Sequence, residues 1–229
     1  MNQFQLTLVS RLVSRNVRRT GVIASALLVA AMLASAEPAG EHVTAISPVF
    51  HQLFAFSLPP EFKSAKATSE RNNGTFYIRE QVPEGESLGQ WTRMITVTGT
   101  RDLAKNPNAT PQAMLSRMSA GFQRNCPDTF ASATPGVQTV DGYQAYEVIA
   151  SCGHIQSGKE AYSQSAIMLT VKGSDDYYML QWTERGRDSS RPLTLDVTYW
   201  TKQLARLNPI RLCAIVPGEA PPYRSCVAH

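Results

Sequence analysis

Apolar and polar residues alternate in six short runs along the chain. Phe54, Phe56 and Leu58 form the first. The second spans Thr75 to Val82, with Phe76, Ile78 and Val82 on one side. The third spans Met94 to Thr98 and carries Ile95 and Val97 on one face. Three more follow: Tyr146, Val148, Ala150 and Cys152; then Ile167, Leu169 and Val171; then Tyr178, Leu180 and Trp182. A period of two predicts strands with one buried face. Pro59-Pro60 and Asn72-Asn73-Gly74 punctuate the early runs, and Lys172 to Asp176 predicts a hairpin loop between the last two.

Two stretches change period. Met114, Leu115, Met118 and Phe122 recur at helical spacing behind Thr110-Pro111. Threonine can cap free backbone N–H groups, and proline suits a first helical turn, where its missing donor would be unpaired anyway. This helix should end near Asn125, with both methionines serving as core filler. The second stripe is Leu193, Val197, Trp200, Leu204 and Leu207, with Ser190 as the expected cap and Asn208-Pro209 as the stop. The order is therefore β-β-β-α-β-β-β-α. It predicts an α+β domain, a mainly antiparallel six-stranded sheet covered by two amphipathic helices.

Charge is unevenly placed. Arg11, Arg15, Arg18 and Arg19 fall in residues 1–36, which hold no acid; beyond them bases and acids balance. The overall excess of +4 thus belongs to the leader, which removes the case for a nucleic-acid partner. The arginines precede an apolar run, Val22 to Leu33, and then Ala34-Ser35-Ala36, a small-x-small cleavage pattern. Residues 1–36 therefore read as a signal peptide, with Glu37 as the new N-terminus. An uncleaved anchor and, through Arg18-Arg19, a twin-arginine route are the alternatives. Gly21 stands where the latter favours a bulky apolar residue. Residues 37–49 read as a flexible lead-in, 50–212 as the domain, and 213–229 as a Pro-rich tail. No second apolar stretch is long enough to span a membrane, so the cleaved chain should be periplasmic or secreted.

All four cysteines, Cys126, Cys152, Cys213 and Cys226, lie in the mature part. An even count in an oxidising compartment predicts two disulfides. Cys126–Cys152 and Cys213–Cys226 are the expected pairs, because each closes a short loop between neighbouring elements. Zinc is disfavoured: there is no C-x-x-C, and the histidines do not cluster with the thiols.

Three short patterns carry a resemblance. Phe56-Ser57-Leu58-Pro59 opens the domain, Val140-Asp141-Gly142-Tyr143-Gln144-Ala145-Tyr146 places a glycine turn before a central strand, and Leu204-Ala205-Arg206-Leu207 closes the last helix before Ile210-Arg211. Over roughly residues 50–212 this resembles the PsbP-like and DcrB-like family of small α/β/α sandwiches. The resemblance implies an exported or lumenal domain that binds partners without catalysis. It transfers no site residue, and the cysteines and the tail depart from the pattern.

Catalytic motifs are present only in outline. Gly85-Glu86-Ser87-Leu88-Gly89 matches the G-x-S-x-G elbow of serine hydrolases, with His154 and either Asp128 or Asp141 in the right chain order. The strand before it holds Arg79, Glu80 and Gln81, and Trp91 to Val97 reads as strand where a helix is required. Ser87 should lie on a surface loop, remote from His154 in the loop between the fourth and fifth strands. Gly153 to Lys159 has the glycines and lysine of a phosphate loop, but Glu160 replaces the Ser or Thr that would hold Mg²⁺. Glu84 and Glu86 flank a glycine and read as solvated. Asn73 and Asn108 head N-x-T sequons that read as turn chemistry. The expected function is an exported, non-enzymatic domain that binds an envelope protein or small ligand, with no cofactor. The alternative is a small secreted serine hydrolase using Ser87.

Overall fold

The computed structural model describes residues 43–62 and 68–227, all within the compact unit Gly40–His229. The leader expected at residues 1–36 lies outside the described residues. Among these residues the chain forms β1 (Val43–Val49), β2 (Gln52–Leu58), β3 (Thr68–Asn72), β4 (Phe76–Gln81) and β5 (Arg93–Thr100). Then come α1 (Pro111–Asn125), β6 (Phe130–Val140), β7 (Tyr143–Ser157), β8 (Glu160–Lys172) and β9 (Tyr177–Arg187). α2 (Val197–Ala205), β10 (Arg211–Ala214) and α3 (Arg224–Val227) complete the order. One sheet has seven strands in the order β3-β4-β5-β9-β8-β7-β6, and a second has three in the order β1-β2-β10. Every pairing is antiparallel.

The chain is thus α+β with mainly antiparallel sheets, but the six-strand count is corrected to seven plus three. The additional strands are all edges. β3 is wholly polar, and β6 carries Pro135-Gly136 at a bulge between Ala133 and Gly136. β1, placed in the flexible lead-in, contains Pro48. An edge strand tolerates proline because one side of its backbone needs no partner. β10 includes Cys213, so the expected tail begins inside a strand.

The main core lies between the large sheet, β2 and α2. Ile95, Val97, Ile167, Leu180 and Trp182 point from the large sheet toward Phe54, Trp200 and Leu204. On β4 the residue serving this core is Tyr77, which is 2% exposed; Phe76 and Ile78, expected on the buried side, face the opposite way. α2 is shorter than its apolar stripe. The Asp196 carboxylate accepts from the Tyr199 N–H at 3.1 Å and starts the helix there, in place of Ser190.

α1 keeps its expected bounds. The Thr110 hydroxyl accepts from the Ala113 N–H at 3.1 Å, and Pro111 occupies the first turn. Leu115 packs on Val148, Ala150, Ala166 and Met168 of the other sheet face. β7 runs on to Ser157, so His154 lies in a strand and the hairpin turn is only Gly158-Lys159. Gly153 does not break this strand. The Arg191 and Ser189 carbonyls come so close that a side chain at 153 would collide with them.

Candidate ligand-binding groove

α1 has 15 residues, so it is about 22 Å long. It lies over β7 and β8 and leaves the same face of β9, β5 and β4 uncovered. Strand register determines what that face displays. Ile78 aligns with Thr98 and Met179, and Glu80 with Thr96 and Gln181. Thr96, Thr98 and Thr100 therefore form a floor that alternates with the core residues Ile95 and Val97. Met114 and Met118 of α1 make one wall, and Leu88 and Trp91 of the β4–β5 loop rise at another. The volume of the groove is about 510 Å³, within the range of roughly 300–1,000 Å³ usual for small-molecule sites.

The rim is apolar and open. Phe76, Leu88 and Met118 are 40%, 36% and 38% exposed. Met118, expected as core filler, is thus a rim residue, and Met114 packs beside Tyr177. Methionine is flexible and polarisable, which suits a wall that must conform to a guest.

The α1 wall is held at both ends. The Tyr177 hydroxyl donates to the Ala109 carbonyl just before the helix. Burial pushes the Tyr177 pKa up to about 12, so this donor keeps its proton. At the far end Cys126 is bonded to Cys152 of β7, with Cα atoms 5.6 Å apart. The second bond, Cys213–Cys226, ties α3 to β10 away from the groove.

Arg185 lies at the opposite end of the groove from Tyr177. Its guanidinium carbon sits 3.9 Å from the Trp91 ring centre and 4.2 Å from that of Tyr162. This sandwich fixes the charged plane with little use of its hydrogen-bond donors. One long bond of 3.5 Å reaches the Gly89 carbonyl. Arg185 Nε is buried without a partner, and Arg185 forms no ion pair among the described residues.

The residues singled out for hydrolase chemistry are dispersed. Ser87 is exposed, and its hydroxyl accepts from the Gln90 N–H at 3.1 Å. His154 Nδ1 pairs with Asp188 at 2.6 Å, a partner the motif reading did not include. Asp141 accepts from the Leu212 N–H at 2.9 Å, and Asp128 sits in the turn before β6. Among the described residues no hydrogen bond joins Ser87 to His154, or His154 to either aspartate. Glu86 accepts from Thr92 N–H and hydroxyl at 2.6 and 2.5 Å, while Glu84 is exposed. The Asn73 side chain accepts from the Phe76 N–H at 2.7 Å, and Asn108 N–H donates to the Asn106 side chain at 3.0 Å.

One cluster has the composition of a metal site: His51, Asp102 and Asp176. Its geometry is that of a hydrogen-bonded junction. The buried Asp176 carboxylate accepts from His51 N–H at 3.1 Å, His51 Nδ1 at 2.9 Å, Asp102 N–H at 2.8 Å and Tyr178 hydroxyl at 3.0 Å. Asp102 is engaged by Lys105 at 2.5 Å. The carboxylates are thus spent on protein donors.

The sequence signal for the groove was present in β5, where Met94, Thr96, Thr98 and Thr100 share one face. Read alone, that face is an ordinary solvent side. No family model and no curated protein matches the chain, so the PsbP-like and DcrB-like resemblance rests on element order and short patterns. Among solved structures the chain is similar to LpqN, described as involved in cell envelope biogenesis of Mycobacterium tuberculosis. The identity is 8% and the TM-score 0.29, over 78% of this chain and 87% of that one. A likeness that slight carries neither fold nor function across. Among the described residues no helix is long and apolar enough to cross a membrane.

Proposed function

We propose that this chain is an exported, non-enzymatic binding domain, periplasmic or secreted, that holds a small apolar ligand between α1 and the β4–β5–β9 face. The observation that carries this reading is the groove itself: about 510 Å³ of apolar-walled space with Phe76, Leu88 and Met118 exposed at its rim. Exposed apolar side chains gathered at one concavity lower their free energy when a guest covers them. The wall helix is clamped at both ends, so the site is preformed and a ligand need not order it. Two disulfides are consistent with an oxidising compartment.

The test is an uncharged reporter, N-phenyl-1-naphthylamine, whose emission rises in apolar surroundings. It should bind the purified protein saturably. Thr98→Trp, which fills the floor of the groove, should abolish the rise while leaving the far-ultraviolet circular dichroism unchanged. A rise that survives Thr98→Trp would place the reporter elsewhere and overturn the reading.

A further inference from the structure

We propose that the ligand is a long-chain carboxylic acid, its hydrocarbon lying along β9 and β5 and its carboxylate on Arg185; this rests on the groove being a binding site. Shape is the first argument. Tyr177 and Arg185 mark the two ends on one face of β9, eight residues apart. At a strand rise of roughly 3.3 Å per residue that is about 26 Å. A volume of about 510 Å³ drawn out over such a length suits a single extended chain. Ile78, Met94, Met179 and the methionines of α1 offer apolar contacts for hydrocarbon along its length, beside the threonine floor of β5 and Gln181.

Charge complementarity is the second argument. Arg185 is held between Trp91 and Tyr162, its terminal nitrogens make one long hydrogen bond, to the Gly89 carbonyl, and it has no carboxylate partner among the described residues. A planar guanidinium with unspent donors matches a carboxylate in two parallel hydrogen bonds. The other acids nearby do not occupy it. Glu184 faces the opposite side and accepts from Trp182 and Tyr199, Glu86 is taken by Thr92, and Glu160 sits exposed at the β7–β8 turn. Glu80 is the other charged residue lining the groove. Its row, with Thr96 and Gln181, is four residues along β9 from Arg185, about 13 Å away. Glu80 repels a carboxylate placed in mid-groove, and of the two ends only that of Arg185 offers a positive charge.

The experiment compares cis-parinaric acid with its methyl ester, by fluorescence titration of the purified protein. The acid should bind about tenfold more tightly than the ester. Arg185→Gln should abolish the preference for the acid over the ester, with a far-ultraviolet circular dichroism spectrum like that of the parent showing that the variant is folded. Arg185→Lys should recover part of the difference. Equal binding of acid and ester by the parent protein, or a preference for the acid that survives in Arg185→Gln, would overturn the carboxylate assignment while leaving the groove. If the parent protein binds neither probe, the groove reading fails, and this inference with it.

Discussion

The Tyr177 hydroxyl donates to the Ala109 carbonyl, joining the first residue of β9 to the residue before the Thr110 cap. The bond crosses one end of the groove and fixes where the α1 wall begins. Tyr177→Phe removes the donor and keeps the ring. It should cost about 1 kcal/mol of stability in urea unfolding. It should also weaken naphthylamine binding, because the hydroxyl no longer fixes the start of the helix that carries Met114. Full binding in the variant would show that the wall does not depend on this anchor.

The two disulfides should separate stability from binding. Each closes a loop whose constraint on the unfolded chain contributes roughly 3 kcal/mol. Cys126→Ala with Cys152→Ala frees the end of α1, and should lower both the unfolding midpoint and the affinity for the groove probe. Cys213→Ala with Cys226→Ala should lower the midpoint alone. Peptide mapping of unreduced protein checks the pairing directly.

How far the residues announced this fold depends on where each signal is local. Thr110-Pro111 starts α1 and Asn125 ends it because capping is decided within one turn. The hairpin between β8 and β9 is announced in the same way by Lys172 to Asp176. Edge strands gave no such signal, since β3 has no apolar face to alternate and β6 is interrupted by Pro135-Gly136. The groove was hidden for a different reason. Whether Met118 is core or rim depends on which strands lie beneath α1, and the pairing of β5 with β9 brings together residues some 80 positions apart.

Ser87 supplies a chemical test. Its hydroxyl is engaged with the Gln90 N–H, and the His154 ring is turned to Asp188. A nucleophilic serine needs a base within about 3 Å. A fluorophosphonate probe should therefore leave the protein unlabelled. Labelling that is lost in Ser87→Ala would establish the hydrolase and displace the binding-domain reading.

Glu147 should set a mild penalty that grows as the pH rises from the acid side. It is 8% exposed on β7, and burial raises its pKa. The folded protein therefore holds this proton to higher pH than the unfolded chain. Stability then falls as pH rises from about 4.3, the usual glutamate value, through the folded-state value. Glu147→Gln removes the charged form. The variant should be more stable than the parent at pH 7, with the gap closing toward pH 4.

Asp176 should show the opposite pH dependence. Burial alone would raise its pKa, but hydrogen bonds from Asp102, His51 and Tyr178 outweigh burial and hold the carboxyl below its ordinary value. These bonds tie the β8–β9 loop to the β1–β2 turn and to the segment after β5. Asp102 sits there at φ 59°, a left-handed conformation that a non-glycine residue adopts at a cost. Because the folded-state pKa is depressed, the contribution is fully present above about 3.9, the unfolded value, and is lost as pH falls through the folded-state value. Asp176→Asn turns an amide donor toward groups that already donate. It should cost about 3 kcal/mol at pH 7. In urea unfolding followed from pH 7 downward, the parent should lose stability toward the variant below about pH 4. Parallel curves across that range would mean that the Asp176 charge does not hold the three loops together.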